Sequence, residues 1–481
     1  MEYRMNDARQ KRTMIIGAGD ACKELLWDIA RQDSCSLDVV CIIDDNQAKV
    51  GTLVEGVPVV GNRKKILTAV SEEGIDLIIF AIPSASIKQR QELLQICKET
   101  ECKLQTLPSL SQLVDPDASI RLVREVNLED LLGRELSQAN GKRITEYLSG
   151  KVVLVTGGGG SIGGELCRQI ARANPSRLIL LDIYENSAYD IQQELREAYP
   201  KLDLVVLIGS VRNTLRVDSI MKKYCPDIIY HAAAHKHVPL MEDSPHEAIK
   251  NNVFGTYNMA VMADRYHCKR FVLISTDKAV NPTNIMGASK RICELIIQSM
   301  DAKSGTDYVA VRFGNVLGSN GSVIPLFKKQ IDAGGPVTVT HPDINRFFMT
   351  ISEAVSLVLE AGADAQGGEI FVLDMGEPVK IADMAENLIR LSGFRPGQDI
   401  QIQYTGLRPG EKLYEEIMMD DEDLRKTSNN RIYIAKPLEL NVEMFYETLE
   451  KLKEIAYDEE SDIRGAVKGI VPEYAIREEE E

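Results

Sequence analysis

Lys151-Val152-Val153-Leu154-Val155-Thr156-Gly157-Gly158-Gly159-Gly160-Ser161-Ile162-Gly163 decides how this chain folds. Lys151 to Thr156 is an apolar run suited to a strand buried on both faces. The glycines after it are spaced Gly157-x-x-Gly160-x-x-Gly163, and a helix pattern, Gly164 to Ala173, follows at once. Such a turn lets backbone N–H groups approach a pyrophosphate, whose charge the positive end of the helix dipole offsets. Asp182 closes the next strand, Arg177 to Leu181, 19 residues after Gly163. A carboxylate there suits the two free ribose hydroxyls of NAD and repels the extra phosphate of NADP. Strand, turn, helix and acid in this order make a dinucleotide-binding turn, with Gly157, Gly160, Ser161, Ile162, Gly163 and Asp182 as its cofactor contacts.

Working outward, further strands read at Leu202 to Leu207, Asp227 to His231, Arg270 to Ser275 and Tyr308 to Phe313. Helical stretches such as Asn186 to Tyr199 and Met286 to Met300 lie between them, the mark of βαβ units. The same alternation occurs earlier. Thr13 to Ile16 runs into Gly17-Ala18-Gly19 and a helix, Glu24 to Arg31; Val39 to Ile43 ends at Asp44-Asp45. Ile75 to Ile82 ends at Pro83, before a helix from Ser86 to Lys98. The expected fold class is therefore α/β, with two tandem Rossmann-like, doubly wound parallel sheets. The expected organisation is a polar arm at 1–12, a first Rossmann-like domain at 13–114, a helical linker at 115–150 and a catalytic domain at 151–481. After about Gly318 the catalytic domain loosens into a small C-terminal lobe that covers a substrate. The first domain has only Gly17 and Gly19, with Cys22 where a third glycine would help packing; Asp44 or Asp45 could serve a ribose. That leaves open a bound nucleotide or a ligand-free structural or regulatory domain.

Composition narrows the function classes. The chain has 481 residues, 44% hydrophobic and 27% charged, which excludes global disorder. Its net charge of −16 argues against a nucleic-acid partner. Nine cysteines, an odd number with no CxxC pair, read as reduced buried thiols in a cytoplasmic compartment rather than a metal centre. No metal is expected at His235 and His237 either, which lack a carboxylate partner. Met1 to Arg12 is polar and is not a signal peptide, and no run approaches the roughly 20 apolar residues of a spanning helix. Glu478 to Glu481 reads as a solvated end.

The chemistry concentrates beyond the dinucleotide turn. The strand ending Ile274-Ser275 delivers Thr276-Asp277-Lys278 at its carboxyl end, where open α/β sheets bind ligands. Met286-Gly287-Ala288-Ser289-Lys290 opens the next helix, with Lys290 one turn from Met286 on the same face. An acid, two amines and a hydroxyl then converge beside the cofactor.

These motifs carry a resemblance, together with His231-Ala232-Ala233-Ala234-His235-Lys236-His237, Arg312-Phe313-Gly314-Asn315 and Gly406-Leu407-Arg408-Pro409-Gly410-Glu411-Lys412. From Gly150 to about Ala435 the chain resembles the extended short-chain dehydrogenase/reductase superfamily. It is most similar there to the nucleoside-diphosphate-sugar 4,6-dehydratases of bacterial surface-polysaccharide synthesis. The N-terminal unit resembles the extra Rossmann-like domain of that family's long, membrane-linked members, whose spanning helices stand just before the point where Met1 to Arg12 begins. The resemblance implies bound NAD, which takes hydride from C4 of a UDP-sugar and returns it to C6 after water leaves C5 and C6. It implies Asp277 as the acid at the C6 hydroxyl, Lys278 as the base at C5, Thr276 on the C4 oxygen, and Lys290 on the nicotinamide ribose. Ser210, Val211, Ala232, Ala233 and Ala234 are implied as further NAD contacts, and Lys236, Asn315, Arg346, Arg408 and Glu411 as substrate contacts. A lysine at Lys278 points to UDP-N-acetylglucosamine. A homo-oligomer paired through helices of the dinucleotide domain is implied as well.

Met286 stands where the superfamily usually has a tyrosine that removes the C4 hydroxyl proton. Asn281-Pro282-Thr283-Asn284-Ile285-Met286 is similar to the Met-bearing, C5-retaining branch of UDP-N-acetylglucosamine dehydratases. Water, Asp277 or Lys278 then accepts that proton. A C5-inverting dehydratase, a UDP-sugar 4-epimerase and a non-catalytic sugar-nucleotide sensor stay open as alternatives. A base must be neutral part of the time, so burial and a second cation at Lys290 are expected to depress the pKa of Lys278.

Overall fold

Side chains alternate in direction along each central strand of the catalytic half, and both directions are buried. Val153 and Val155 enter one core with Leu178, Leu180 and Tyr230. Leu154 enters the opposite core with Ile179, Ile229 and Phe271. A sheet dry on both faces demands apolar residues at every position, hence the unbroken run at Val152–Thr156. The computed structural model describes residues 10–31, 37–100, 102–107, 124–126, 141–418, 424–435 and 440–476.

The chain forms two compact units. The first unites Met1–Glu135 with Phe327–Val339 and Ala382–Gln403. Those last two segments fall in the expected C-terminal lobe by sequence, yet they cluster with the N-terminal residues, where Lys98 Nζ donates to Asn387 Oδ1 at 3.1 Å. This unit's sheet has the order Leu53–Val54, Val57–Gly61, Leu37–Ile43, Lys11–Ile16, Leu77–Phe80, Lys103–Thr106, Arg124–Glu125, parallel except at its two ends. The hairpin Leu53–Val54/Val57–Gly61 has no counterpart in the sequence reading; its two-residue turn, Glu55-Gly56, has positive φ at both positions. Of the expected linker, Gly141–Leu148 is a helix and Arg124–Glu125 is an edge strand. The remainder of that linker, the arm at 1–9 and the tail at 478–481 lie outside the described residues.

The second unit holds Leu136–Leu326, Thr340–Ile381 and Tyr404–Glu481. Its sheet runs Leu204–Ile208, Arg177–Asp182, Val152–Thr156, Ile228–His231, Arg270–Ile274, Asp307–Arg312, Ile370–Leu373, then Ile432–Ala435 and Leu424–Lys426. Pairing is parallel up to Ile370–Leu373 and antiparallel beyond it. The chain winds outward from Val152–Thr156, then returns to its other side with Ile228–His231, so winding reverses between those two strands. Ligands bind at the carboxyl ends of strands flanking such a reversal.

Helix Ile285–Asp301 is buried at every residue from Ile285 to Ile297. One face lies on the sheet. The other lies under the chain's own C-terminal helices, Val442–Ala456 and Ile463–Ile470, whose Phe445, Leu449, Leu452, Ile463 and Val467 complete the same core. Polar contacts tie this cover down: Arg291 Nε to Glu473 Oε1 at 3.1 Å, Arg464 Nη1 to Glu242 Oε2 at 2.6 Å, and Ala475 N to Pro282 O at 2.9 Å. Among the described residues no helix is long and apolar enough to cross a membrane.

Candidate active site

The glycine turn is built for close approach. Gly157 has φ +67°, and a Cβ there would lie 2.7 Å from Ala233 N and 2.8 Å from Ala232 O, so the turn presses directly on the end of Ile228–His231. A Cβ on Gly163 would overlap the Gly157 carbonyl oxygen. Gly160 caps helix Ser161–Arg172 without a side-chain acceptor, so the first-turn N–H groups of Ser161 and Ile162 meet no capping side chain. Asp182 Oδ2 accepts from Gly159 N at 2.9 Å and Oδ1 from Tyr184 N at 2.8 Å, which latches the strand end to the turn. Val211 is buried against Gly255, and Ser210 Oγ accepts from Arg212 N at 3.2 Å. Ala232 and Ala233 are half-buried and Ala234 is exposed at the crevice. A glycine cradle, an uncapped helix end and a carboxylate at the next strand end fit a dinucleotide.

His231 at that strand end is buried between Thr156 Oγ1, 2.7 Å from Nδ1, and Thr256 Oγ1, 3.0 Å from Nε2. Burial first, then the Lys290 charge, pushes its pKa down to about 3, so it is a neutral structural link.

Thr276-Asp277-Lys278 enters the crevice as a short turn, because Ser275 N and Asp277 N continue the ladder to Val311 O and Phe313 O at 2.8 and 3.0 Å. Thr276 Oγ1 donates to Asp277 Oδ1 at 2.8 Å. Lys278 Nζ donates to the same Oδ1 and to Asn315 Oδ1, both at 3.1 Å, and lies 3.6 Å from Glu415 Oε1. Asp277 Oδ2 is fully buried with no hydrogen-bond partner among the described residues. A buried oxygen without a donor is costly in a resting protein and marks a place for a ligand's hydroxyl.

The charge of Lys278 corrects the sequence expectation. Burial pulls its pKa down, but the Asp277 and Glu415 carboxylates outweigh both burial and the opposing Arg346, and hold it above the ordinary lysine value. Lys290 is the depressed amine instead, pushed down by burial while Cys293 and Glu294 act the other way. The helix carrying it starts at the Asn284 cap, whose Oδ1 accepts from Gly287 N at 2.8 Å. Met286 is buried, and its carbonyl accepts from Ser289 Oγ at 2.6 Å.

The guanidinium of Arg346 donates to Asn345 O at 2.6 Å, Leu413 O at 3.2 Å and Lys412 O at 2.7 Å. Glu411 and Glu415 lie 3.6 and 3.7 Å from its remaining N–H groups. A planar five-donor fork is well suited to clasp a turn in this way. Arg408 is exposed on that turn and donates to Glu411 Oε1 at 3.0 Å. Burial works against the charge of Glu411, but Arg408 and Arg346 hold its pKa low. Lys236 is exposed beyond Ile228–His231, with no hydrogen bond to any described residue.

A polysaccharide biosynthesis protein family matches residues 153–437. The capsular polysaccharide biosynthesis protein CapD of Staphylococcus aureus is 48% identical over 434 residues, which span 90% of this chain and 72% of CapD. The chain belongs to the polysaccharide biosynthesis protein family. Pen of Bacillus thuringiensis, a solved structure, is 36% identical with a TM-score of 0.56, covering 60% of this chain and 90% of Pen. DesIV of Streptomyces venezuelae, a dTDP-glucose 4,6-dehydratase solved with NAD and TYD, aligns at 20% identity and a TM-score of 0.51, covering 63% of this chain and 97% of its own. That likeness shows that this member of the polysaccharide biosynthesis protein family shares the fold of DesIV. A CoA-binding domain family matches residues 1–108. There the turn is latched as in the second unit: Asp44 Oδ2 accepts from Ala18 N at 2.7 Å, while Asp45 pairs with Arg63 at 2.5 Å.

Three groups at the site of this family member escape sequence reasoning. Glu415 lies on an aperiodic turn far along the chain. Asn252, in a π-helical turn at Ile249–Val253, bridges Ser289 Oγ at 2.9 Å and both backbone groups of His235. Glu294 binds Ser275 Oγ at 2.6 Å and Arg312 Nη2 at 2.9 Å, behind the Asp277 turn. Only Glu294 leaves a sequence signal, as an acid inside an otherwise apolar helix face.

Proposed function

We propose that this protein dehydrates UDP-N-acetylglucosamine to the 4-keto-6-deoxy sugar nucleotide, with C5 configuration retained and NAD bound at the Gly157–Gly163 turn. The carrying observation is the hydrogen-bonded cluster Thr276–Asp277–Lys278–Asn315, in which Asp277 is buried and the other three are half-buried, with Met286 at the position the superfamily usually gives to tyrosine. When bound, NAD supplies a hydride acceptor for C4 and the hydride that C6 receives at the end. The chain's own residues do the rest. Thr276 Oγ1 hydrogen-bonds the C4 oxygen, whose hydroxyl proton leaves to water as the hydride is taken. Lys278 takes the C5 proton, and Asp277 gives a proton to the departing C6 hydroxyl. Lys278 Nζ stands 3.1 Å from Asp277 Oδ1, so one proton crossing between them creates both base and acid. Arg408 and Glu411 meet the nucleotide, and Lys290 orients the nicotinamide ribose. The product feeds surface polysaccharide or glycan assembly in the cytoplasm, a setting supported by described cysteines that are all free thiols, with only Cys225 exposed.

The test is incubation of the purified chain with UDP-N-acetylglucosamine in deuterated water, followed by NMR and mass spectrometry. A 4-keto-6-deoxy product with deuterium at C5 and retained configuration is expected. An inverted C5 would assign the other dehydratase branch. An unchanged mass with inverted C4 would make the protein an epimerase, and no turnover would leave a sugar-nucleotide sensor.

A further inference from the structure

Glu415 is the carboxylate at this site that the roles above leave unused. Its side chain is 4% exposed, and its Oε1 stands 3.6 Å from Lys278 Nζ and 3.7 Å from Arg346 Nε. Arg346, pinned to the carbonyl oxygens of Lys412 and Leu413, fixes the backbone on which Glu415 rides. At these separations the hold on Lys278 is electrostatic, and a low-dielectric site strengthens it. The charged groups facing Lys278 are Asp277 and Glu415 on one side of the balance and Arg346 on the other, with Asn315 as a neutral acceptor.

We infer that Glu415 is a positioning residue that acts through Lys278, keeping it an ammonium between Asp277 and Asn315 so that it turns basic only by passing a proton to a neighbouring carboxylate. In that step one N–H bond of the ammonium breaks and one O–H bond forms on Asp277. A neutral amine and a neutral acid result, and no electron changes hands. The resting pair thus stores the proton that the C6 hydroxyl later receives. Glu415 sets how hard that transfer is, since its negative charge favours the ammonium. The catalytic sense of this rests on the dehydratase reading; the charge relationship does not.

The full chain labelled with ε-13C lysine is titrated by NMR, with Lys278→Arg identifying the Lys278 resonance. Glu415→Gln should lower the Lys278 midpoint by about one unit or more, since an opposite charge within about 4–6 Å shifts a pKa by roughly 1–3 units. Glu415→Asp, which retracts the charge by one methylene, should lower it less, and it carries the test alone if Glu415→Gln does not fold. In turnover, Glu415→Gln should move the acid limb of the kcat–pH profile to lower pH, because the amine loses its proton more readily. A Lys278 midpoint unmoved in both variants overturns the inference. A midpoint that falls while the wild-type chain leaves UDP-N-acetylglucosamine unchanged upholds it and overturns the substrate reading instead.

Discussion

A Cβ on Gly287 would overlap the carbonyl oxygen of Lys278. The helix that carries Met286 and Lys290 is therefore docked, backbone to backbone, on the turn that carries Asp277 and Lys278. Gly287→Ala must push the two apart, and overpacking of this kind costs about 1–3 kcal/mol. The expected outcome is a lower Tm and a fall in kcat larger than any change in KM, measured by thermal denaturation and steady-state kinetics.

Asp277→Asn and Lys278→Ala should each abolish product while leaving NAD binding intact, because neither residue touches the glycine turn. Binding is followed by cofactor fluorescence and product by NMR. Turnover near the wild-type rate in either variant would remove the acid and base roles.

Gly163→Ala should fail in the opposite sense. The added methyl runs into the Gly157 carbonyl oxygen, which distorts the cradle before the crevice is reached. NAD affinity should fall at least tenfold, read by fluorescence titration, with the fold retained by circular dichroism.

Glu294 predicts an acid limit. It is fully buried, and although burial raises its pKa, Arg312, Arg291 and Ser275 bring it down to about 2. A depressed carboxylate contributes stability above its unfolded pKa and loses it as pH falls through the folded one. Denaturant midpoints should therefore decline from roughly pH 5 towards pH 2. Glu294→Gln should flatten part of that decline and cost about 3–5 kcal/mol at neutral pH, because buried guanidinium groups lose a counter-charge.

Leu449→Ala tests the C-terminal cover. Leu449 is 1% exposed in the core shared with Ile285–Asp301. Truncating it should cost about 2–5 kcal/mol. The loss should appear in the transition that reports NAD binding, as seen by cofactor fluorescence during urea unfolding.

The strands of the second unit are legible in the sequence because a sheet buried on both faces leaves no polar interruptions. The Asp277–Lys278 pair is legible because it stands at a strand end after a complete dinucleotide motif. What escapes is whatever depends on distance between remote segments. Glu415 adds to the hold that Asp277 has on the charge of Lys278, and neither Glu415 nor Lys278 is announced by the other's neighbours in sequence. The direction of Arg346 is likewise set by carbonyl oxygens at Lys412 and Leu413, and backbone acceptors leave no residue-type signature. The short hairpin at Leu53–Val54 is lost for a plainer reason, since two-residue strands carry too little periodicity to read.

The match to the polysaccharide biosynthesis family stops at residue 437, and the helices that shield Ile285–Asp301 begin at Val442. A catalytic half cut at residue 437 would present the bare flank of its own most buried helix to water. Excised for chemistry or engineering, it must continue at least to Tyr474, itself 1% exposed, or it will seek another hydrophobic surface in place of the one removed.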